Sequence, residues 1–251
     1  MKNLHRHLCW YVGHFAYSLI KINKENEAPL GEDKKKEENA RQALKSVIQS
    51  NLLSGGMDTK HLTPLEIDEL VRTRLAAGDE LYSLDDEALA RCNPDLILSQ
   101  DLCRVCAVPS GEVDLAVARL NCQATVLQID PHTLIEVIDS VQTVADAAGV
   151  PERGHILVSA LHQRLTDLRR RTDAHLTGKD RPTVFVLEWI DPPFIGGHWV
   201  PDLVAAAGGQ PILARPGERS VPSAWEAICE ADPDHIIVAP CGYGLSGARE
   251  Q

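Results

Sequence analysis

Two cysteines separated by two residues, Cys103 and Cys106, are the first candidates for chemistry in this sequence. They follow a short apolar run, residues 95–99, that predicts a buried strand. A pair with this spacing is a redox couple, half of a zinc site, or a packing feature of a loop turn. No second pair with metal-binding spacing follows along the chain. All three interpretations stay open from the residues alone, and both cysteines are also candidate ligand-binding residues, through a thiol contact to a metal-bearing ligand.

A segment rich in aromatic residues and glycine follows a second apolar run, residues 183–187. Its candidate binding residues are Trp189, Phe194, Gly196, Gly197, His198 and Trp199. The chain has only four Trp and three Phe, so three of them in one predicted loop favour contact with a broad, flat, apolar ligand such as a corrin or porphyrin-like ring. The two glycines let the backbone approach closely. The alternative is that both tryptophans cap the core, and we expect at least one to contact ligand.

One of these residues could bind a metal, and two further side chains lie where a ligand is expected. His198 can bind a cobalt or iron centre through a neutral imidazole nitrogen, or it is an ordinary hydrogen-bonded loop residue. Cys241 and Tyr243 follow a third apolar run, residues 235–239. Parallel sheets present ligands to the loops at the carboxyl ends of their strands, so all these residues are expected to face one cleft.

Alternating helices and strands must position these residues. Thr63, Pro64 and Glu66 predict the start of a helix that ends at Gly78. The predicted elements that follow are a helix at 85–90, the strand at 95–99, a helix at 111–120, a strand at 124–128 and a helix from 132 through 148. Strands that alternate with helices predict a parallel sheet with right-handed crossovers.

Residues 155–176 form one uninterrupted amphipathic stretch, after punctuation at Gly149, Pro151 and Gly154. As a helix they would span roughly 33 Å, enough to join two lobes. A second α/β unit follows, with the strand at 183–187, helices at 200–207 and 224–230, and the strand at 235–239. A single βαβ unit shields its sheet poorly, so this second lobe is predicted to be incomplete.

The composition excludes some partners. With 25 Lys and Arg against 36 Asp and Glu, the formal charge of -11 disfavours nucleic acid. Residues 1–44 are predicted to be a leader and a charged linker. The apolar run at 8–20 is interrupted by His14, and no small-residue cleavage site follows, so it makes a poor signal peptide.

Three sequence segments together indicate a family resemblance: PDLILSQDLCRVCAVPSGEVD at 94–114, VLEWIDPPFIGGHWVPDLVAAAGGQPI at 186–212 and PDHIIVAPCGYGL at 233–245. Between about residues 45 and 245 the chain resembles cobalamin-binding members of the substrate-binding proteins of ABC transporters. The resemblance implies an α/β fold of the class III periplasmic-binding-protein kind, with two Rossmann-like lobes joined by a long rigid helix. The lobes are predicted as 45–150 and 179–251, both incomplete, with the joining helix at 151–178.

The resemblance also implies a function. It predicts a protein that is not an enzyme, has no prosthetic group, holds cobalamin, a related corrinoid or an iron chelate, and delivers it to an ABC-transporter permease. The family is exported, whereas the weak leader leaves a cytoplasmic or organellar location open. The sequence contains no nucleophile elbow, Walker loop or dinucleotide fingerprint. The alternatives are a thiol-dependent redox or metal enzyme using Cys103 and Cys106, and a degenerate fragment that serves as an interaction module.

Overall fold

The computed structural model describes residues 54–56, 59, 61–79, 81–92, 94–100, 110–120, 123–241, 243 and 248–249. The strands are β1 Ser54–Gly56, β2 Tyr82–Leu84, β3 Leu96–Ser99, β4 Thr125–Gln128, β5 Thr183–Ile190, β6 Pro193–Ile195, β7 Gln210–Pro211, β8 Val221–Pro222 and β9 His235–Val238. The helices are α1 Pro64–Ala77, α2 Asp86–Cys92, α3 Ser110–Arg119, α4 Leu134–Ala147, α5 Pro151–Leu176, α6 Val200–Ala206 and α7 Trp225–Glu230. The predictions for residues 1–44, Cys103 and Cys106 lie outside the described residues.

The chain divides into two compact units. Among the described residues, the first unit contains residues 54–56, 59, 71–130 and 140–157, and the second contains residues 61–70, 131–139 and 158–249. The division passes through α1, α4 and α5, so each of these three helices contributes residues to both units.

The first unit contains the predicted parallel strand pair. Strand β3 pairs with β4 in parallel, from Leu96 opposite Thr125 to Ser99 opposite Gln128. Its core joins one side chain of β3 to residues of α2 and α3: Leu89, Ile97, Val113 and Ala116. Strands β1 and β2 form an antiparallel pair that the sequence did not predict, because three-residue strands are too short to show an alternating pattern.

Two helix boundaries test the sequence predictions. At the start of α1, Glu66 accepts hydrogen bonds from the Thr63 backbone N–H (2.7 Å) and hydroxyl, while the Thr63 hydroxyl accepts one from the Glu66 N–H (3.3 Å), as predicted. These bonds from Thr63 lower the pKa of the Glu66 carboxyl. For helix α5, the amphipathic pattern predicts a start at residue 155 and the family resemblance implies one at 151; the helix begins at Pro151, a favoured first helical residue. Gly154 therefore lies inside the helix.

The second unit is built on a five-stranded sheet centred on β5. Strand β5 pairs in parallel with β7 and β9, as predicted for a parallel sheet, and antiparallel with β6, which in turn pairs with β8. Phe185 and Leu187 of β5 and Ile228 of α7 form its buried core. The prediction of a single βαβ unit was wrong, because three short strands of two or three residues add to the sheet.

The segment after Leu187 is not a loop as the sequence predicted. Strand β5 continues to Ile190 and turns back through residues 191–192 into β6, so Trp189 and Phe194 lie in a β-hairpin. Two consecutive prolines, Pro192 and Pro193, argue against a strand in sequence, and this is why the hairpin was missed.

Within the described residues, no helix is long and apolar enough to cross a membrane.

Candidate functional site

The carboxyl ends of β5 and β9 bring three predicted binding residues together. The Ala239 N–H donates to the Leu187 carbonyl and the Cys241 N–H to the Glu188 carbonyl, both at 2.9 Å. These bonds hold the chain after β9 against the end of β5. The rings of Trp189 and Tyr243 consequently lie with centroids 5.9 Å apart, tilted by 50°. Burial raises the pKa of the Tyr243 hydroxyl.

The β-hairpin adds a third aromatic residue. Phe194 is the cross-strand partner of Trp189, and both are half-buried. The indole Nε1 of Trp189 donates to the Asp191 carbonyl at 3.1 Å, which fixes the orientation of the ring within the hairpin. Trp189, Phe194 and Tyr243 are called the aromatic cluster below. Aromatic pairs favour tilted arrangements at this separation, so the Trp189–Tyr243 contact stabilises this end of the sheet.

A buried carboxyl group lies next to the aromatic cluster. The register of β5 shifts between Leu187 and Trp189, so a β-bulge falls at Glu188, and bulges re-aim side chains. The Glu188 carboxylate accepts hydrogen bonds from the Ser220 hydroxyl and from the Gly197 N–H, the latter at 3.3 Å. Burial raises the pKa of the Glu188 carboxyl, and these two hydrogen bonds offset only part of the rise.

The glycines permit a close approach between two backbone segments. A Cβ on Gly197 would lie 2.2 Å from the Ser220 nitrogen and 2.7 Å from the Glu218 carbonyl oxygen. The His198 N–H donates to the Glu218 carbonyl at 2.6 Å, and the Gly217 N–H donates to the His198 carbonyl at 3.0 Å. Gly197 therefore permits a close approach to the loop at 217–220, while the approach of this backbone to a ligand stays a prediction.

His198 and Trp199 lie on the other side of this glycine pair. The His198 ring lies 5.7 Å from the His132 ring and 5.9 Å from the Trp199 ring, between centroids. Trp199 packs on a buried cluster made of Leu134, Ile138, Leu165 and Ala206. That position agrees with the alternative in which a tryptophan caps the core, so of the two tryptophans Trp189 is the better placed for a ligand.

Two side chains at the site were not predicted. Ser220 follows no recognisable element, since the neighbouring strand β8 has only two residues. His132 approaches the Gly217 carbonyl with Nδ1 at 3.3 Å. The sequence could have indicated His132, because this residue follows the carboxyl end of β4, as Cys241 follows the carboxyl end of β9.

The remaining predictions concern thiol and metal chemistry. Cys103 and Cys106 lie outside the described residues. In the part of the chain that the structure describes, no three His, Cys, Asp or Glu side chains are grouped to hold a metal ion. Binding of a ligand metal by His198 stays a prediction.

Comparisons with solved structures identify the fold. A periplasmic haem-binding protein from Pseudomonas aeruginosa is 19% identical with a TM-score of 0.53, over 67% of this chain and 59% of that one. Staphylococcus aureus IsdE, solved in complex with haem, is 18% identical with a TM-score of 0.51, over 67% and 61%. The vitamin B12-binding protein BtuF of Vibrio cholerae is 22% identical with a TM-score of 0.48, over 62% and 58%. This chain thus spans about three fifths of each of these proteins.

The predicted α/β fold of the periplasmic-binding-protein kind is confirmed. No match is found among curated proteins. The sequence model of the family described as periplasmic binding protein matches residues 56–251, which is more than half of the chain. The chain therefore belongs to the periplasmic binding protein family.

Proposed function

We propose that this protein is a ligand-binding protein that holds a corrinoid or haem-type iron chelate against the aromatic cluster of Trp189, Phe194 and Tyr243. The observation that carries the proposal is the tilted Trp189–Tyr243 pair at the carboxyl ends of the parallel strands β5 and β9. In open α/β sheets this edge is where ligands bind. Family membership supports a binding role, and the thiol-dependent alternative gains no support from it.

The ligand class rests on the shape and chemistry of the cluster. Three half-buried aromatic residues offer a wide apolar surface, whereas a small polar ligand would leave that surface wet. Haem and vitamin B12 are the ligands named for the solved proteins above. Both are broad, flat ring systems, so the surface suits either, and the choice between them is left to the experiment.

Titrations of the full chain with haem, cobalamin and cobinamide test the proposal, followed by tryptophan quenching and ligand absorbance. We expect saturable binding to at least one ligand, weakened about fivefold or more by Trp189→Ala, because one lost aromatic contact is worth roughly 1 kcal/mol or more. Trp225→Ala is the matched control, since Trp225 is an exposed tryptophan of α7 that has no ring contact with Trp189 or Tyr243. Absence of binding to all three ligands, or equal losses in the two variants, contradicts the proposal.

Delivery to a transporter is the second part of the proposal. A permease partner follows from the same binding role, in which the loaded protein docks on an ABC transporter. We expect the loaded protein to stimulate the ATPase of a reconstituted haem or cobalamin transporter. The stimulation should be weaker with Trp189→Ala. Equal stimulation with and without ligand would reject this part alone.

A further inference from the structure

A small concavity in the second unit is not used by the aromatic cluster. It has a volume of about 140 Å³ and lies between the hairpin and the segment from β7 to β8. Its apolar walls are Ile195, Leu213 and Val221, and its charged side chains are Arg215, Glu218 and Arg219. Small-molecule sites usually measure about 300–1,000 Å³, so this concavity is too small for a whole cofactor and has the size for a substituent.

Its charge is opposite to that of the chain. The protein carries a formal charge of -11, yet two of the three charged residues that line the concavity are arginines. Arg215 Nη1 lies 3.8 Å from Glu218 Oε1, and both side chains are mostly exposed, so this pair is weak and easily exchanged. Arg219 makes no ion pair with a described residue. A guanidinium presents a planar fork of donors that matches a carboxylate.

The residues on both sides of Arg219 are fixed by hydrogen bonds. Ser220, the next residue, donates to the buried Glu188 carboxylate and accepts from the Gly197 N–H at 3.1 Å. Glu218, the preceding residue, accepts from the His198 N–H at 2.6 Å. A segment fixed on both sides of the arginine loses little freedom when the arginine binds an anion, and this lowers the cost of binding.

Glu188 connects the concavity to the aromatic cluster. Its side chain bonds Gly197, which lines the concavity, and its carbonyl accepts from Cys241, two residues before Tyr243. We infer that the concavity is a carboxylate-binding subsite, in which Arg219, assisted by Arg215, receives an acidic substituent of the ligand held by the aromatic cluster. A single net positive charge suits a monoanionic carboxylate better than a dianionic phosphate.

The ligand identity in this inference rests on the proposed function, and a pair of ligands separates the two. Haem carries two propionates, while haem dimethyl ester has the same ring without the charges. We expect the wild-type chain to bind haem about 1.5-fold to fivefold more tightly than the ester, the range for one exposed charge pair. Arg219→Gln should abolish this difference and leave affinity for the ester unchanged.

Arg171→Gln is the matched control, because Arg171 is an exposed arginine on α5 that does not line the concavity. It should keep the preference for haem over the ester. Equal affinity of the wild type for both ligands, or an equal loss of both in Arg219→Gln, overturns the inference and leaves the proposed function standing if Trp189→Ala still weakens both.

A second measurement decides the case in which neither ring binds. Sodium propionate is added to ¹⁵N-labelled full chain at constant ionic strength, and the arginine Nε–H signals are followed by NMR. A saturable shift that is missing in Arg219→Gln supports the carboxylate subsite while the proposed function fails. No saturable shift, together with no ring binding, overturns both.

Discussion

The Glu188 carboxyl group is partly removed from water at the candidate site. It is hydrogen-bonded to Ser220 and Gly197, and burial raises its pKa above the ordinary value of 4.5. The folded chain therefore binds this proton up to a higher pH than the unfolded chain does. From about pH 4.5 to the raised pKa the folded state holds more protons, so stability falls as the pH rises.

Glu188→Gln removes that titration while its amide oxygen still accepts from Gly197. We expect the free energy of unfolding of the variant, relative to wild type, to improve as the pH rises from about 4.5 to the raised pKa of Glu188, and to level off above that pKa. Urea denaturation at a series of pH values measures the difference. Glu226→Gln, an exposed glutamate on α7, is the control and should give a curve parallel to wild type. A parallel curve for Glu188→Gln as well would contradict the assignment.

The sequence predicted part of this site. Trp189, Cys241 and Tyr243 were expected to lie together because each follows an apolar run, and parallel strands end at one edge of a sheet. Ser220 and Arg219 could not be found in this way. Their position depends on the hairpin and on backbone hydrogen bonds to Gly197 and His198, which have no periodic signal in the sequence.

At the scale of elements, prediction succeeded where a boundary residue has a strong local preference. The Thr63–Glu66 box, the positive φ of 79° at Gly78 and the apolar run of β3 each determine one structure. Prediction failed where tertiary packing determines whether a helix continues. Glycine is a poor helix former, so the sequence predicts that no helix passes through Gly154. This residue nevertheless lies in α5, where a small residue is needed against α4.

Gly154→Ala should therefore destabilise the chain although alanine favours helices. An added Cβ would lie 2.5 Å from the Ala145 Cβ, and such overpacking costs about 1–3 kcal/mol, against a gain in helix propensity of about 1 kcal/mol. The combination with Ala145→Gly removes the clashing atom, so the double variant should be more stable than the two single effects predict. Urea denaturation gives all three free energies.

Gly111→Ala is the matched substitution for this test. Gly111 lies in α3 with nothing within 4 Å of its added Cβ, so its replacement should be neutral or stabilising. If Gly154→Ala is as stable as Gly111→Ala, the close approach of α4 and α5 at this point is refuted.

At the scale of the whole molecule, the surface of the second unit has an unusual sheet edge. Strand β9 pairs with β5, and among the described residues it has no second partner strand. All four of its residues are exposed, and Ile236, Ile237 and Val238 each expose roughly half of their surface. An open edge of apolar β-branched residues is a template for pairing with another chain.

We therefore expect the protein to self-associate as its concentration rises, through β9. Ile237→Lys places a charge on this edge, as natural edge strands do, and should abolish most of the rise in weight-average mass measured by sedimentation. Leu203→Lys is the control, because it adds the same charge at an exposed leucine of α6, away from the sheet edge. Equal effects of the two lysines would mean that net charge, rather than strand pairing, controls association. A wild-type chain that stays monomeric at every concentration would show that solvent alone covers this edge.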